Sequence, residues 1–225
     1  MIGIGLSPTK SIWSYNPIPN GCTSFAPLWH PNLHGSVVKS IDSYGQVYTR
    51  TGGVMSGDGV TMDGDDRITI PTFIGQGTAF SLIIRFKQIT RADSRICVAN
   101  ADNSDSTKQG IGFGIAAGTN YLQVVNDGVA WGSGTTVPDL NTWYTAMFTQ
   151  SGTVSNLYVD GGAAVISTYT GVQEDAGGYI YLGAGVGGSD LPNYHFKGAI
   201  REVIFFNRVL SAVEWSYAHS AISGR

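Results

Sequence analysis

A chain of 225 residues with 31 glycines, 13% charged residues and a net charge of −3 fits one all-β domain, large enough to bury roughly 70% of its unfolded surface without staples. Its 13 lysines and arginines are scattered, which excludes the clustered positive charge a nucleic-acid groove uses to displace counterions. No run reaches the ~18 apolar residues that span a bilayer, and the opening Met1-Ile-Gly-Ile-Gly-Leu-Ser-Pro carries neither the basic start nor the cleavage site of a secretory leader.

Residues 1–35 hold prolines at 8, 17, 19, 27 and 31, and proline lacks the donor of a central strand. This segment reads as an arm or a wrapped loop ahead of a body at 36–225. Its aromatic residues Trp13, Tyr15, Phe25 and Trp29 either pack on that body or dock on a neighbouring subunit as an assembly arm. Strands are expected next at 37–40, 45–51, 61–63 and 67–70, the last two flanking the turn Asp63-Gly-Asp-Asp66. At 79–89 Phe80, Leu82, Ile84 and Phe86 alternate with Ser81, Arg85 and Lys87, which marks a half-buried strand with Ile83 as its exception.

Further strands are expected at 95–99, 110–117, 121–126 and 129–131. A Ser151-Gly152-Thr153 turn joins 142–150 to 155–159. Asp160-Gly161 turns the chain into 163–168, since such hairpins need a residue tolerant of positive φ. Strands at 179–183 and 196–207 close the series. Ser211 and Glu214 stand three apart, the spacing of a capping box, and predict a helix at 211–220. No repeat of 20–50 residues is visible. The pattern is all-β: a two-sheet antiparallel jelly-roll sandwich with one short C-terminal helix. Cys22 and Cys97 are expected as buried free thiols, the alternative being a pair.

Catalysis finds little support. A retaining glycosidase needs two carboxyl groups about 5 Å apart, and Glu174, Glu202 and Glu214 form no cluster. There is no Gly-x-Ser-x-Gly elbow set between strand and helix. Gly110-Ile-Gly-Phe-Gly-Ile lies in a strand pattern and opens no helix as a phosphate loop would. His30 and His34 flank Pro31 without a further ligand set and read as loop histidines. The chain is expected not to be an enzyme and to require no cofactor.

Binding finds more. Asp63, Asp65 and Asp66 are the candidate calcium ligands, because that ion takes six to eight oxygens. The competing role is turn shaping, with Asp63 and Asp65 accepting from backbone N–H groups. A sugar site needs an aromatic platform beside polar groups. Trp131 with Asn126 and Asp127 is one candidate. Asp190, Asn193 and Tyr194, next to His195, are the other. Against these, Trp131 also suits the sandwich core, and Tyr194 a sheet edge.

Four landmarks carry a family resemblance. Val60-Thr-Met-Asp-Gly-Asp-Asp-Arg-Ile, Phe80-Ser-Leu-Ile-Ile-Arg-Phe-Lys, Trp143-Tyr-Thr-Ala with Leu157-Tyr-Val-Asp-Gly, and Phe196-Lys-Gly-Ala-Ile-Arg-Glu-Val-Ile-Phe-Phe-Asn-Arg-Val-Leu-Ser resemble, in order, segments of laminin-G-like, concanavalin A-like domains. Arg67 stands where the family has an aromatic residue, and Arg201 where it has an aspartate. The segment Leu28-Trp-His-Pro-Asn-Leu-His-Gly, with Ser43-Tyr-Gly-Gln-Val-Tyr-Thr-Arg-Thr-Gly, is similar to the front of such proteins in bacteriophage and environmental viral sequences. The resemblance implies a non-catalytic virion structural protein, a capsid decoration or a tail or fibre component. It would be made in the host cytoplasm, with other virion proteins or its own copies as partners and surface loops that engage glycans. The alternative is a free lectin-like module; a glycan hydrolase comes third. Neither nucleic acid nor membrane is an expected partner.

Overall fold

The computed structural model describes residues 15–33, 35, 37–39, 47–70, 79–91, 95–99, 111–116, 119–126, 130–134, 136–152, 154–170, 180–186, 192–193 and 195–225. Among them are β1 (Cys22–Pro27), a 3-10 turn at Pro31–Leu33, β2 (Val37–Lys39), β3 (Val47–Thr51), β4 (Val54–Ser56), β5 (Gly59–Asp63) and β6 (Arg67–Ile70). There follow β7 (Phe80–Gln88), β8 (Arg95–Ala99), β9 (Ile111–Ile115), β10 (Leu122–Asn126), β11 (Ala130–Ser133) and β12 (Trp143–Ser151). The chain continues through β13 (Val154–Val159), β14 (Ala164–Thr170), β15 (Ile180–Leu182), β16 (Gly185–Val186), β17 (Pro192–Asn193), β18 (Lys197–Phe206) and the helix α1 (Ala212–Ser223).

Two antiparallel sheets of eight strands form the sandwich. The first runs β14-β13-β12-β7-β18-β5-β4, with β1 also on β18, and the second runs β11-β10-β9-β8-β15-β6-β3-β2. Between them lies the main core, where Leu82, Ile84 and Phe86 of β7 meet Phe113, Phe148, Phe196 and Phe205. Phe86 packs edge-on to Phe113 with ring centroids 5.4 Å apart, an arrangement aromatic pairs prefer.

A second core lies on the outer face of the first sheet. There α1 presents Trp215, Ala218 and Ile222 to Ile83, Met147, Ile204 and Phe206, and Ile18 and Phe25 join from the N-terminal side. This layer explains Ile83. The first half of β7 is covered on both faces, so an apolar residue suits the outward position there. Toward Arg85 and Lys87 the outer face opens to solvent, and the alternation returns. The capping box of α1 is complete: the Ser211 hydroxyl accepts from the Glu214 amide, and the Glu214 carboxylate accepts from the Ser211 amide.

Residues 15–33 lie on the body, as one of the two readings of the N-terminal segment has it, and not ahead of it as an arm: β1 pairs with β18 from Cys22↔Phe206 to Pro27↔Glu202, and Ser24 shares a hydrogen bond with Tyr48 in the main core. β1 has β18 as its only partner strand among the described residues, so the missing donor of Pro27 breaks no second ladder. The 63–66 turn links β5 of the first sheet to β6 of the second. It is a crossover between layers.

Cys22 lies in the outer core and Cys97 in the main core, on opposite faces of the first sheet. Both are buried and they form no disulfide with each other, and burial pushes the Cys97 thiol well up. No helix among the described residues is long and apolar enough to cross a membrane.

Candidate functional site

The acidic crossover is built by two glycine-dependent approaches. Gly64 has φ +119°, and a Cβ on it would sit 2.3 Å from the Lys197 side chain. A Cβ on Gly52 would fall 1.8 Å from Asp66 Oδ1. In the space so left, Asp66 Oδ1 accepts from the Gly53 amide at 2.6 Å and Oδ2 from the Asp63 amide at 2.9 Å. The residue that shapes the turn is therefore Asp66, which is buried, whereas Asp63 and Asp65 are exposed. Carboxylate oxygens of the three lie within 4.8 Å of one another, a spread that fits one Ca²⁺ with ligands at about 2.4 Å. Both Asp66 oxygens are already committed to amides, so water would have to supply much of the shell. The His195 ring lies 3.5 Å from the Asp66 carbonyl oxygen, which brings this turn beside the segment that follows β17.

The sugar-binding candidates divide. Trp131 lies on β11, opposite Val125 of β10, and Asn126 opposite Ala130, so these two share one hairpin. Asn193 sits on β17 opposite Gly185. Asp127, Asp190 and Tyr194 lie outside the described residues. Of the four aromatic residues of the N-terminal segment, Trp13 lies outside them too. Phe25 is fully buried in this chain's own outer core. Tyr15 and Trp29 stack edge to face with centroids 5.1 Å apart, and the His30 ring lies 5.5 Å from Trp29. His34 is not among the described residues.

Tyr15 and Trp29 lead to a surface absent from the sequence expectations. On the outer face of the first sheet, beside the end of α1, register places Trp143 opposite Lys87 and Thr145 opposite Arg85. On the other side of β7, Ala199 faces Lys87 and Glu202 faces Arg85, with a register shift between Ile200 and Glu202. That bulge re-aims Arg201, as bulges do. Lys87 Nζ then lies 4.8 Å from the Trp143 ring centroid, and the Arg85 and Arg201 guanidinium carbons each lie 5.9 Å from it. Arg201 is also 5.9 Å from the Trp29 ring.

A buried ion pair anchors this surface. Glu202 is 2% exposed. Arg225 Nη1 donates to both of its oxygens at 3.1 Å, and Trp29 Nε1 donates to Oε2 at 3.0 Å. Burial pushes the Glu202 carboxyl up from its ordinary value, while Arg225, Trp29 and Arg201 pull it down. Arg85 donates to Thr145 Oγ1 and Ser223 Oγ at 3.1 Å. Its own pKa is lowered, first by burial and then by Arg201. Arg201 donates to Gly57 O at 3.0 Å and to the Asp58 carboxylate at 3.2 Å. Among the described residues Lys87 has no carboxylate within ion-pair reach.

Two antiparallel sheets and one capped C-terminal helix make the fold a β-sandwich. The sequence model of the concanavalin A-like lectin/glucanases superfamily matches residues 62–214, more than half of the chain, and the chain belongs to that family. No curated protein matches it in sequence. In structure it is similar to Trypanosoma rangeli sialidase, at 14% identity and a TM-score of 0.68 over 90% of this chain and 33% of that one. It is also similar to domain 4 of AbnA, a GH43 extracellular arabinanase from Geobacillus stearothermophilus solved with arabinotriose. There identity is 13%, the TM-score is 0.62, and 88% of this chain and 98% of that one are covered. The chain thus spans about a third of the sialidase and nearly the whole arabinanase domain. At these identities the likeness is one of fold.

Proposed function

We propose that this chain is a non-catalytic carbohydrate-binding module whose platform is the Trp143 surface. The observation that carries the reading is a half-buried tryptophan on an open sheet face, ringed by Lys87, Arg85 and Arg201. An indole offers an apolar face to a pyranose, and the cations offer donors to its hydroxyls. Domain 4 of the arabinanase, similar over nearly its full length, was solved with arabinotriose, and that supports a sugar as the ligand class. The non-catalytic part is supported by the glutamates: Glu202 is paired with Arg225, and Glu214 with Arg208 and its own helix cap. Glu174 lies outside the described residues.

The hairpin of Trp131 and Asn126 is the alternative platform. A glycan array probed with the native chain, Trp143→Ala and Trp131→Ala separates them. The reading expects hits that vanish in Trp143→Ala and persist in Trp131→Ala. A flat array would overturn carbohydrate binding altogether, and release of sugar from any hit would overturn the non-catalytic part. No cofactor enters the reading; calcium at Asp63, Asp65 and Asp66 would stiffen the crossover rather than touch the ligand at Trp143.

The setting we infer is a bacteriophage virion, as a capsid decoration or a tail or fibre component. It rests on the viral likeness of the segments that begin at Leu28 and Ser43. Mass spectrometry of purified particles tests it, and absence of the chain from them would refute it. Phe25 is enclosed by its own chain, so contacts with other virion proteins or further copies would fall to Tyr15, Trp29 and Trp13.

A further inference from the structure

The same surface carries a charge that neutral sugars do not need. Four cations, Arg85, Lys87, Arg201 and Arg225, gather on one face of a chain whose net charge is −3. The nearby carboxylates are largely committed. Glu202 is held by Arg225. Asp58, on an exposed turn, pairs with Arg201 at 3.2 Å. Asp160 accepts from the Thr145 amide at 2.8 Å. Lys87 is left with the Trp143 ring and no carboxylate among the described residues. Arg85 is half-buried, faces a second guanidinium, and has its Nε buried without a partner. Glu202 and Asp160 attract Arg85, but burial and Arg201 outweigh them, and a ligand anion would relieve that imbalance.

Arg201, 5.9 Å from the Trp143 ring, adds its own charge to those of Lys87 and Arg85.

We infer that the Trp143 surface binds an acidic saccharide, with the pyranose against the indole and its carboxylate or sulfate between Lys87 and Arg85. The inference rests on the carbohydrate-binding reading and adds the ligand's charge. A planar carboxylate suits the guanidinium fork of Arg85, and the flexible stem of Lys87 lets its ammonium move from the ring to the anion. An attraction of this kind weakens with salt.

Calorimetric titration of the intact chain with trigalacturonate, a sulfated oligosaccharide of similar length, neutral arabinotriose and a poly-glutamate peptide tests the inference. Binding of one or both acidic saccharides is expected, about tenfold tighter than arabinotriose, a difference of about 1.4 kcal/mol. Affinity should fall several-fold between 50 and 300 mM salt. Lys87→Gln should remove the preference while the melting temperature stays within about 2 °C of the native value, as for a half-buried charge with no ion pair among the described residues. Carboxylate and sulfate arms identify which anion is read. Equal binding of neutral and acidic sugars, with Lys87→Gln silent, overturns the inference and leaves the carbohydrate reading standing. No sugar binding overturns both. Poly-glutamate binding as tight as the acidic sugars and lost in Lys87→Gln overturns it in favour of an acidic protein partner.

Discussion

Removing Arg225 is expected to expose how the cation–aromatic surface is held. In Arg225→Ala the Glu202 carboxylate, 2% exposed, keeps Trp29 Nε1 as a donor and loses both charge-assisted bonds from Arg225. Breaking one side of a buried ion pair costs about 3–5 kcal/mol. For a chain of this length that lowers the melting temperature by roughly 6–20 °C. The variant should also acquire a distinctive pH dependence. Burial raises the folded pKa of Glu202 above the ordinary 4.5, and without Arg225 it rises further. A carboxyl group shifted that way contributes stability that is fully present below its unfolded value and lost as pH rises through its folded value. Arg225→Ala should therefore regain melting temperature relative to the native chain as pH falls from 7 toward 5. Glu202→Gln in the Arg225→Ala background should recover part of the loss at pH 7, since the amide is neutral and its oxygen can still accept from Trp29. Thermal melts by circular dichroism at pH 7 and pH 5 read all three chains. A melting temperature for Arg225→Ala within about 2 °C of native at both pH values would refute the reasoning, because a buried unpaired carboxylate cannot cost so little.

The outer core gives a second expectation. Trp215 is 1% exposed, and its Nε1 donates to Gly162 O at 3.2 Å, so Trp215→Ala should cost about 3–5 kcal/mol and lower the melting temperature accordingly; an unchanged melt would show that α1 does not cover the sheet. Glu214 is held at about 2 by hydrogen bonds from Arg208 and then from the Ser211 amide. Its contribution should be present above pH 4.5 and lost as pH falls toward 2. The gap in melting temperature between the native chain and Glu214→Gln should accordingly close over that range, and a gap that stays constant would contradict it. With the Asp66 carboxylate already bonded to two backbone amides, EGTA is expected to leave the melt unchanged. A rise of several degrees on adding Ca²⁺ would instead assign the ion to Asp63, Asp65 and Asp66.

Local chemistry made much of the fold legible. The alternation along β7 placed Phe80, Leu82, Ile84 and Phe86 in the core, where they lie. Asp160 and Gly161 take positive φ values of 48° and 75°, as a two-residue hairpin requires. Ser211 and Glu214 marked the helix start. β1 was hidden because Pro27 and its neighbours read as loop, and its pairing with β18 is a long-range fact. β4 was hidden by its length and by Gly52-Gly53 before it. The 63–66 segment looks the same in sequence whether its flanking strands share a sheet or cross between two.

The candidate surface was legible only in fragments. Arg85 and Lys87 showed as the polar face of β7, Trp143 as a landmark of a hairpin, and Arg201 as a departure from the family pattern. Nothing local joins them, because their meeting depends on the registers of β7, β12 and β18 and on one bulge at Arg201. Trp131 stands out in the sequence through its glycine-rich polar neighbours, a signal that says nothing about strand register.

The central claim, that carbohydrate is held on the Trp143 face, is tested most directly by titrating the ¹⁵N-labelled chain with the strongest array hit and following its amide and indole signals. The account expects the largest shifts at the Trp143 indole and the amides around Lys87 and Arg201. Shifts confined to the β10–β11 hairpin around Trp131, or none at saturating ligand, would contradict it.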